Sequence, residues 1–341
     1  MGAAGHAAAP APPLHGGNSG TFPSAGVSTI QLPKFVREVS TLSILNNLIN
    51  GISLGSVYAI IALGYTMVYG IAKMLNFAHG DIIMVGAYIC FFATQNFGLH
   101  PLLGIVVAMI VCTALGIVIE RMAYKPLRQA PSLAVLITAI GVSYFLQNSA
   151  LLLWSANPKV FPAFFEFTSA SGEVNRGISL FDGQLTITYV SMFTVAVCVV
   201  IMVALTLFTG RTKMGKAMRA CSEDKGAAVL MGIDVNFTIS MTFAIGSALA
   251  AVAGFLLCSS YRNLMPTTGS LPGIKAFTAA VFGGIGSIPG AFLGGILLGI
   301  IEIFAKAFNT NISDAVVFAV LIVVLLVKPA GLLGKTVHEK V

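Results

Sequence analysis

The chain has 341 residues, of which 57% are hydrophobic and only 9% are charged, and its mean hydropathy is +0.92. A soluble domain carries about 25% charged residues, so this composition excludes a soluble surface and makes the lipid bilayer the expected solvent. The net charge of +7 is typical of a membrane protein with basic cytoplasmic loops. Nucleic-acid binding is not indicated, since no run of Lys and Arg is interleaved with aromatic residues.

The chain begins with an Ala-, Gly- and Pro-rich segment, which we predict to be a flexible tail over residues 1–41. It lacks the basic start and apolar core of a signal peptide. Residues 34–43 are interpreted as a short interfacial helix that leads into the first span. Residues 42–341 are predicted to form one transmembrane domain.

Eight apolar segments follow, approximately at 44–71, 75–97, 101–120, 132–154, 185–208, 236–258, 274–306 and 312–327. At about 20 residues per crossing, they predict an all-α bundle of about eight spans. The first and the seventh are too long for one straight span, and both contain several glycines. A Gly/Pro cluster breaks a helix, so the seventh segment is predicted to be a half-helix, a turn and a second helix, with the break at Gly283, Gly284, Gly286, Pro289 and Gly290.

The positions of Lys and Arg in the loops predict the orientation. The loops 120–131 and 209–235 and the C-terminus are basic and are expected in the cytoplasm, whereas 155–184 and 259–273 are expected outside. The C-terminus then lies inside only if the seventh segment crosses twice or dips in and returns. The side of the N-terminal tail stays open, since it depends on whether 44–71 crosses once or twice.

A polar motif, Asn-Phe-Ala-His-Gly-Asp, opens the second span. Ionisable groups at membrane depth are costly and often mark a pathway, so Asn76, His79 and Asp81 are candidates for a translocation path. Gly80 would permit a turn or a close helix approach. The alternative is a plain helix start, with Asn76 as its cap, Asp81 in the first turn and His79 at the interface.

Polar residues also interrupt the fourth span, where Tyr144, Gln147 and Asn148 share one helical face. Gln147 and Asn148 are further candidates for the path, although hydrogen bonding between helices explains them equally simply. Near the outer end of the seventh segment, Glu302 and Lys306 are spaced for a local ion pair. Lys275 is expected to extend to the same surface.

The cytoplasmic segment 210–234 carries five Lys or Arg and three Asp or Glu between two spans. It predicts two short helices, Lys213–Cys221 and Glu223–Leu230, with Ser222 before the second and Gly232 at its end. Ala227 and Ala228 would leave a small-sided surface for a partner. An amphipathic helix on the bilayer is the alternative, but its apolar side is thin for that role.

No catalytic, cofactor-binding or metal-binding pattern is apparent in the chain. The five cysteines form no CxxC pair, and the Walker-like end at 331–336 has Pro329 where a P-loop requires Gly. We therefore expect no enzyme activity and no cofactor, with ATP bound only by partner subunits.

A family resemblance is carried by four segments in chain order. They are GISLGSVYAIIALGYTMVYG at 51–70, NFAHGD at 76–81, RACSEDKGAAVLMGI at 219–233 and FTAAVFGGIGSIPGAFLGG at 277–295. Together they resemble the integral membrane permeases of branched-chain amino acid ABC importers over about 44–341. The resemblance implies a fold related to vitamin-B12 and ribose permeases, with two inverted halves and broken helices near Gly80 and Gly286. It also implies location in the inner membrane of a prokaryote.

The resemblance further implies a second permease subunit, two cytoplasmic ATPase subunits and an external amino-acid-binding protein as partners, besides membrane lipid and without nucleic acid. It assigns ATPase coupling to Glu223, Asp224, Ala227, Ala228 and Gly232. The alternatives are the same machine with urea, short amides or another amino acid as cargo, an ATP-independent secondary transporter, and a purely structural subunit. The secondary transporter would need ionisable residues at mid-membrane, where this sequence shows very few.

Overall fold

The computed structural model describes residues 34–168, 174–180 and 185–334, and the predicted tail lies outside them except for its last residues. Eleven α-helices occur in these ranges: α1 Lys34–Ala72, α2 His79–Gln95, α3 Pro101–Ile119, α4 Ser132–Trp154, α5 Tyr189–Arg211, α6 Lys213–Glu223, α7 Lys225–Leu230, α8 Val235–Tyr261, α9 Ser270–Gly283, α10 Ile288–Phe308 and α11 Ser313–Val327. Helix α3 continues through a π-turn at Glu120–Tyr124 and a 3-10 turn at Lys125–Leu127.

Within the described ranges, six short strands lie in the connections at one end of the bundle: β1 Lys159–Val160, β2 Phe167–Thr168, β3 Val174–Asn175, β4 Gly177–Leu180, β5 Leu185–Thr188 and β6 Asn263–Leu264. They form three antiparallel pairs, β1 with β6, β2 with β3 and β4 with β5. We call this end of the bundle the outer end and the opposite, Lys/Arg-rich end the inner end, following the loop charges.

Seven helices of the described residues are long and apolar enough to cross a membrane: Thr41–Ala72, Pro101–Leu127, Ser132–Trp154, Tyr189–Arg211, Val235–Tyr261, Ile288–Phe308 and Thr310–Val327. Helix α2, with 17 residues, is shorter. The most apolar stretch of each of the seven helices is buried to a different extent: 94% in α1 and 83% in α8, against 22% in α4, 17% in α5 and 11% in α11. The bundle is therefore centred on α1 and α8, and α4, α5 and α11 present apolar faces outward, as expected toward lipid or another subunit.

The first apolar segment is one continuous helix, so neither a break at its glycines nor a separate interfacial helix over 34–43 forms. The glycines allow close packing instead. A Cβ at Gly55 would lie 2.7 Å from the backbone of Ile296, and a Cβ at Gly299 would lie 2.2 Å from Gly55. Small residues let membrane helices approach in this way, and here they pack α1 antiparallel against α10.

The seventh apolar segment is broken as predicted. Helix α9 ends at Gly283, Gly284 and Gly286 have positive φ angles of 106° and 94°, and α10 begins at Ile288 with Pro289 in its first turn. Gly283 lies against Gly290, and Gly294 lies against Ala279, so α9 and α10 form an antiparallel hairpin. The turn between α9 and α10 lies at the inner end, since Gly286 faces Gly70 near the end of α1 and Gly284 faces Gly331 after α11. The segment therefore runs inward and returns to the outer end, which allows α11 to bring the chain to the inner end.

Candidate functional site

The polar motif begins α2 deep inside the bundle rather than at its boundary. Helix α1 ends at Ala72, yet the ring of His79 lies against Gly64, two turns before that end, and Gly64 also faces Gly246 in the middle of α8. The intervening residues 73–78 therefore turn back along α1. Gly80 lies against Gly269, where a Cβ would be 2.7 Å from the carbonyl oxygen, so its role is close approach within the first turn of α2.

The three ionisable or amide side chains of this motif are all buried, with exposures of 3% for Asn76 and 1% for both His79 and Asp81. Asn76 does not cap α2, because Ala78 is the N-cap residue and makes no side-chain bond. Instead the Tyr124 hydroxyl donates to Asn76 Oδ1 at 2.9 Å. His79 is not at an interface either: its ring packs on Tyr65 at 4.7 Å between centroids, and its Nε2 has no hydrogen-bond partner in the described part of the chain.

Asp81 connects this motif to the fourth span. Gln147 Nε2 donates to Asp81 Oδ1 at 2.9 Å and approaches the Ser143 hydroxyl at 3.2 Å. Asn148 is exposed on another side of α4 and donates to the carbonyl of Tyr144 at 2.7 Å. The structure thus brings Asp81 and Gln147 together and leaves Asn148 apart, so these path candidates do not form one continuous surface within this subunit.

A group of four charged side chains joins three helices at the outer end. Lys275 of α9 lies 2.8 Å from Glu302 of α10 and 2.6 Å from Asp314 of α11, and Lys306 lies 2.6 Å from Glu302. The Tyr58 hydroxyl of α1 donates to the same Glu302 carboxylate at 2.8 Å. We call Lys275, Glu302, Lys306 and Asp314 the outer charge group.

The predicted pair of Glu302 and Lys306 therefore exists, but the prediction that Lys275 extends to the surface is wrong, since only 5% of its side chain is exposed. Burial of a charge is tolerated when opposite charges and hydrogen bonds satisfy it. Sequence spacing reveals only the pair within α10. Lys275 and Asp314 are recognisable as partners only after the hairpin brings three helix ends together.

A second buried ion pair lies near the inner end and was not anticipated from the sequence. Arg128 contacts Glu120, whose side chain is fully buried, and Ser240 donates to the other oxygen of Glu120 at 2.6 Å. Arg128 also donates to Asn236. These contacts attach the end of α3 to the first turns of α8, directly after the 210–234 segment.

The 210–234 segment forms two short helices, with a different cap from the one predicted. Asp224, not Ser222, caps α7, because its Oδ1 accepts from the backbone of Gly226 at 2.7 Å and Ala227 at 3.0 Å. Glu223 is the last residue of α6. Gly232 follows α7 with a φ of 78°, the left-handed geometry expected after a helix end.

Ala228 does not belong to the expected small-sided surface. It is 2% exposed and packs in a cluster with Met218, Cys221, Met67 and Ile71, which attaches α6 and α7 to the end of α1. Lys225 Nζ donates to the carbonyl of Ala72, and burial lowers the pKa of this ammonium group.

The exposed part of this segment is instead an apolar tip. Val229, Leu230 and Met231 are 59%, 89% and 81% exposed, and Glu223, Asp224, Ala227 and Gly232 are exposed beside them. Large apolar side chains that project from a charged segment are typical of a protein contact. We call Val229, Leu230 and Met231 the coupling tip.

At the outer end, Glu166 pairs with two arginines. Arg176 lies 2.6 Å from its carboxylate and Arg262 donates to the same oxygen. The hydrogen bond from Arg262 holds the pKa of Glu166 below its usual value. Within the described ranges, no cluster of three His, Cys, Asp or Glu side chains could hold a metal ion.

Comparison with known proteins adds to this geometry. A family model described as the permease component of the branched-chain amino acid transport system matches residues 47–325. The high-affinity branched-chain amino acid transport system permease protein BraD of Pseudomonas aeruginosa is 47% identical over 306 residues, which cover 87% of this chain and 98% of that protein. The corresponding protein LivH of Escherichia coli is 44% identical over 310 residues, with 88% and 98% covered.

Among solved structures, PsaBC from Streptococcus pneumoniae in complex with Fab is similar with a TM-score of 0.45 and 15% identity, over 87% of this chain and 96% of that one. A likeness this remote carries no conclusion. The family match spans most of the transmembrane helices, and the two identities extend over nearly the whole of each relative. The chain therefore belongs to the branched-chain amino acid transport system permease family.

Proposed function

We propose that this chain is the membrane permease subunit of an ATP-driven importer for leucine, isoleucine and valine in the inner membrane of a prokaryote. The observation that carries the proposal is the 47% identity to BraD over nearly its whole length. The buried polar motif and the broken hairpin are consistent with a helix bundle that changes shape around a path.

The partners we propose are a second permease of the same family, two cytoplasmic ATPase subunits and an external amino-acid-binding protein. The coupling tip supports the ATPase contact, because it lies in the segment whose loop charges predict a cytoplasmic location. The covered position of Ala228 moves the contact from the predicted alanine face to Val229, Leu230 and Met231. The candidates for the rim of this ATPase contact remain Glu223, Asp224, Ala227 and Gly232.

In this proposal the chain itself binds no cofactor and catalyses no covalent step. ATP hydrolysis by the partners moves α6 and α7, and these helices move α1 through the cluster around Ala228. Asn76, His79, Asp81 and Gln147 are proposed to lie beside the path, and Asn148 is proposed to face it only where a second subunit covers α4.

The test is leucine uptake into liposomes that contain this chain with its permease, ATPase and binding-protein partners. Uptake should require ATP on the ATPase side and should be inhibited by isoleucine and valine but not by urea or acetamide. Liposomes without this chain are the control. Uptake that ignores ATP and follows an ion gradient would support a secondary transporter, and ATP hydrolysis stimulated by urea would identify a different cargo.

A further inference from the structure

A cavity of about 670 Å³ opens at the outer end of this subunit. It lies between α1, α5, α8 and α10 and is bordered by residues 163–166 and by Arg176. Its charged lining consists of Glu166, Arg176, Arg262 and Lys306. Neither the polar motif at the start of α2 nor the coupling tip contributes to it, and it shares only Lys306 with the outer charge group.

The charges of this lining favour a ligand that carries a carboxylate. Glu166 is shared by two guanidinium groups, so the outer rim has one positive charge more than it has negative charges. Lys306, which also lines the cavity, belongs to the outer charge group, whose two cations and two anions balance. A ligand carboxylate would therefore meet an excess of guanidinium charge without disturbing that group.

The same cavity also offers acceptors for a cation and an apolar wall. Glu166, Asn47 and Asn50 provide oxygen acceptors, and the Ser259 hydroxyl is buried in the lining without a partner among the residues that the structure describes. A buried polar atom without a partner is unusual and is typically satisfied by water or a ligand. The apolar part of the lining includes Leu54, Val57, Phe164, Phe165 and Ile303.

We propose that this cavity receives the transported amino acid as a zwitterion on its way from the outside, with its carboxylate at Arg176 and Arg262. The ammonium group would face Glu166 and the asparagine oxygens, and the aliphatic side chain would lie on the apolar wall. The inference rests on the proposed function. Binding is expected to be weak, because Glu166 and the arginines already satisfy one another and the ligand must compete with these pairs.

The experiment uses a single introduced thiol in the complete complex without its binding protein. All five native cysteines of this chain are buried, so Asn50→Cys in the cavity lining gives this chain one accessible thiol for a membrane-impermeant maleimide. Leucine should slow this labelling several-fold in a saturable manner. The matched control is Asn96→Cys, which is exposed after α2 and outside the cavity, and its labelling should not respond to leucine.

Three further probes identify the chemistry that is recognised. Isoamylamine lacks the carboxylate and 4-methylpentanoate lacks the amine, so each should protect Asn50→Cys less than leucine does. Equal protection by 4-methylpentanoate or inorganic phosphate would overturn the zwitterion site in favour of a general anion site. Protection that appears only in vesicles containing anionic lipid would assign the cavity to a headgroup and overturn the proposal.

A variant connects binding with transport. Arg176→Gln should remove the protection and raise KM for leucine uptake several-fold with little change in kcat. Arg176→Lys should restore part of the protection and part of the wild-type KM. Neither variant should disturb packing, because the Arg176 side chain is 65% exposed. If the wild type shows ATP-driven uptake but leucine does not slow the labelling of Asn50→Cys, the cavity site alone is refuted. Failure of ATP-driven uptake with intact protection would refute the proposed function alone.

Discussion

His79 occupies the space that a side chain at position 64 would need. A Cβ at Gly64 would lie 2.5 Å from Nε2 and 2.7 Å from Cε1 of His79, and the ring also packs on Tyr65. Because Gly64 also faces Gly246 at mid-helix, this contact fixes the level at which α2 begins. The observed position of the polar motif thus requires glycine, without a Cβ, at position 64.

We therefore expect Gly64→Ala to destabilise the protein by about 1–3 kcal/mol, the usual cost of overpacking a well-packed interior. The measurement is the thermal unfolding midpoint of the detergent-solubilised complex. Gly141→Ala is the control, because nothing lies within 4 Å of its Cβ and alanine favours the helix. Equal midpoints for the two variants would contradict the packing role of His79.

The pairing of Glu166 with Arg262 and Arg176 makes the stability of the protein depend on pH. Its hydrogen bond from Arg262 lowers the pKa below the usual 4.5, so the folded state binds this proton more weakly than the unfolded state. The stability from this pairing is present above the unfolded pKa and is lost as the pH falls through the folded pKa.

The unfolding midpoint of Glu166→Gln should consequently lie below that of the wild type at about pH 7, and the difference should shrink as the pH falls below about 4. The same solubilised complex is measured over the pH range. A difference that grows on acidification would show that the pairing with Arg262 and Arg176 does not stabilise the folded state.

The coupling tip is the exposed apolar feature of helices α6 and α7 and the turn that follows them. Replacing Leu230, 89% exposed, with Asp should weaken ATPase binding by about 30-fold, since a central apolar contact is worth about 2 kcal/mol or more. The measurement is the amount of ATPase that co-purifies with the permease. Phe308→Asp, at a residue 88% exposed but at the outer end, should have no effect.

Substitution of Ala228 does not test docking cleanly, because its side chain packs on the permease itself. A bulky residue there would disturb α6, α7 and the end of α1 before it met any partner. If Leu230→Asp leaves ATPase co-purification unchanged while Ala228→Leu abolishes it, the contact is not at the coupling tip.

The sequence predicts those elements whose cause is local. The stretch from Gly283 to Gly290 breaks the seventh segment because its glycines permit positive φ and Pro289 is compatible with the first turn of α10. Both causes can be recognised from the sequence. Gly232 ends α7 for the same reason. The long first segment was ambiguous, since its glycines read equally as breaks or as packing positions, and only the contact with α10 decides.

Features that depend on distant partners could not be predicted in the same way. Lys275 is buried because Glu302 and Asp314 meet it, and these partners lie 27 and 39 residues further along the chain. Ala228 is covered by Met67 and Ile71, which come from α1. Asp81 lies deeper than the boundary expected for it because residues 73–78 turn back along α1, which apolar periodicity does not report.

Helix α1 contacts elements at both ends of the bundle. At its inner end, Met67 and Ile71 pack on α6 and α7, and Lys225 donates to the carbonyl of Ala72. Nearer the outer end, Tyr58 donates to Glu302 of the outer charge group. The helix is continuous between these points and packs along α10 through glycines, so a displacement of α7 reaches the hairpin through one rigid element.

Tyr58→Phe tests this connection, because it removes one hydroxyl from Glu302 and leaves the ring. Loss of a hydrogen bond to a buried charge costs about 1.5–3 kcal/mol, so leucine uptake per ATP hydrolysed should fall several-fold while ATPase co-purification stays unchanged. Tyr88→Phe is the matched control, since the Tyr88 hydroxyl is also buried but has no hydrogen-bond partner within the described ranges. Uptake and hydrolysis are measured on the same liposomes. If both variants transport like the wild type, α1 does not carry the movement through Tyr58, and transmission must then run through its glycine contacts with α10 alone.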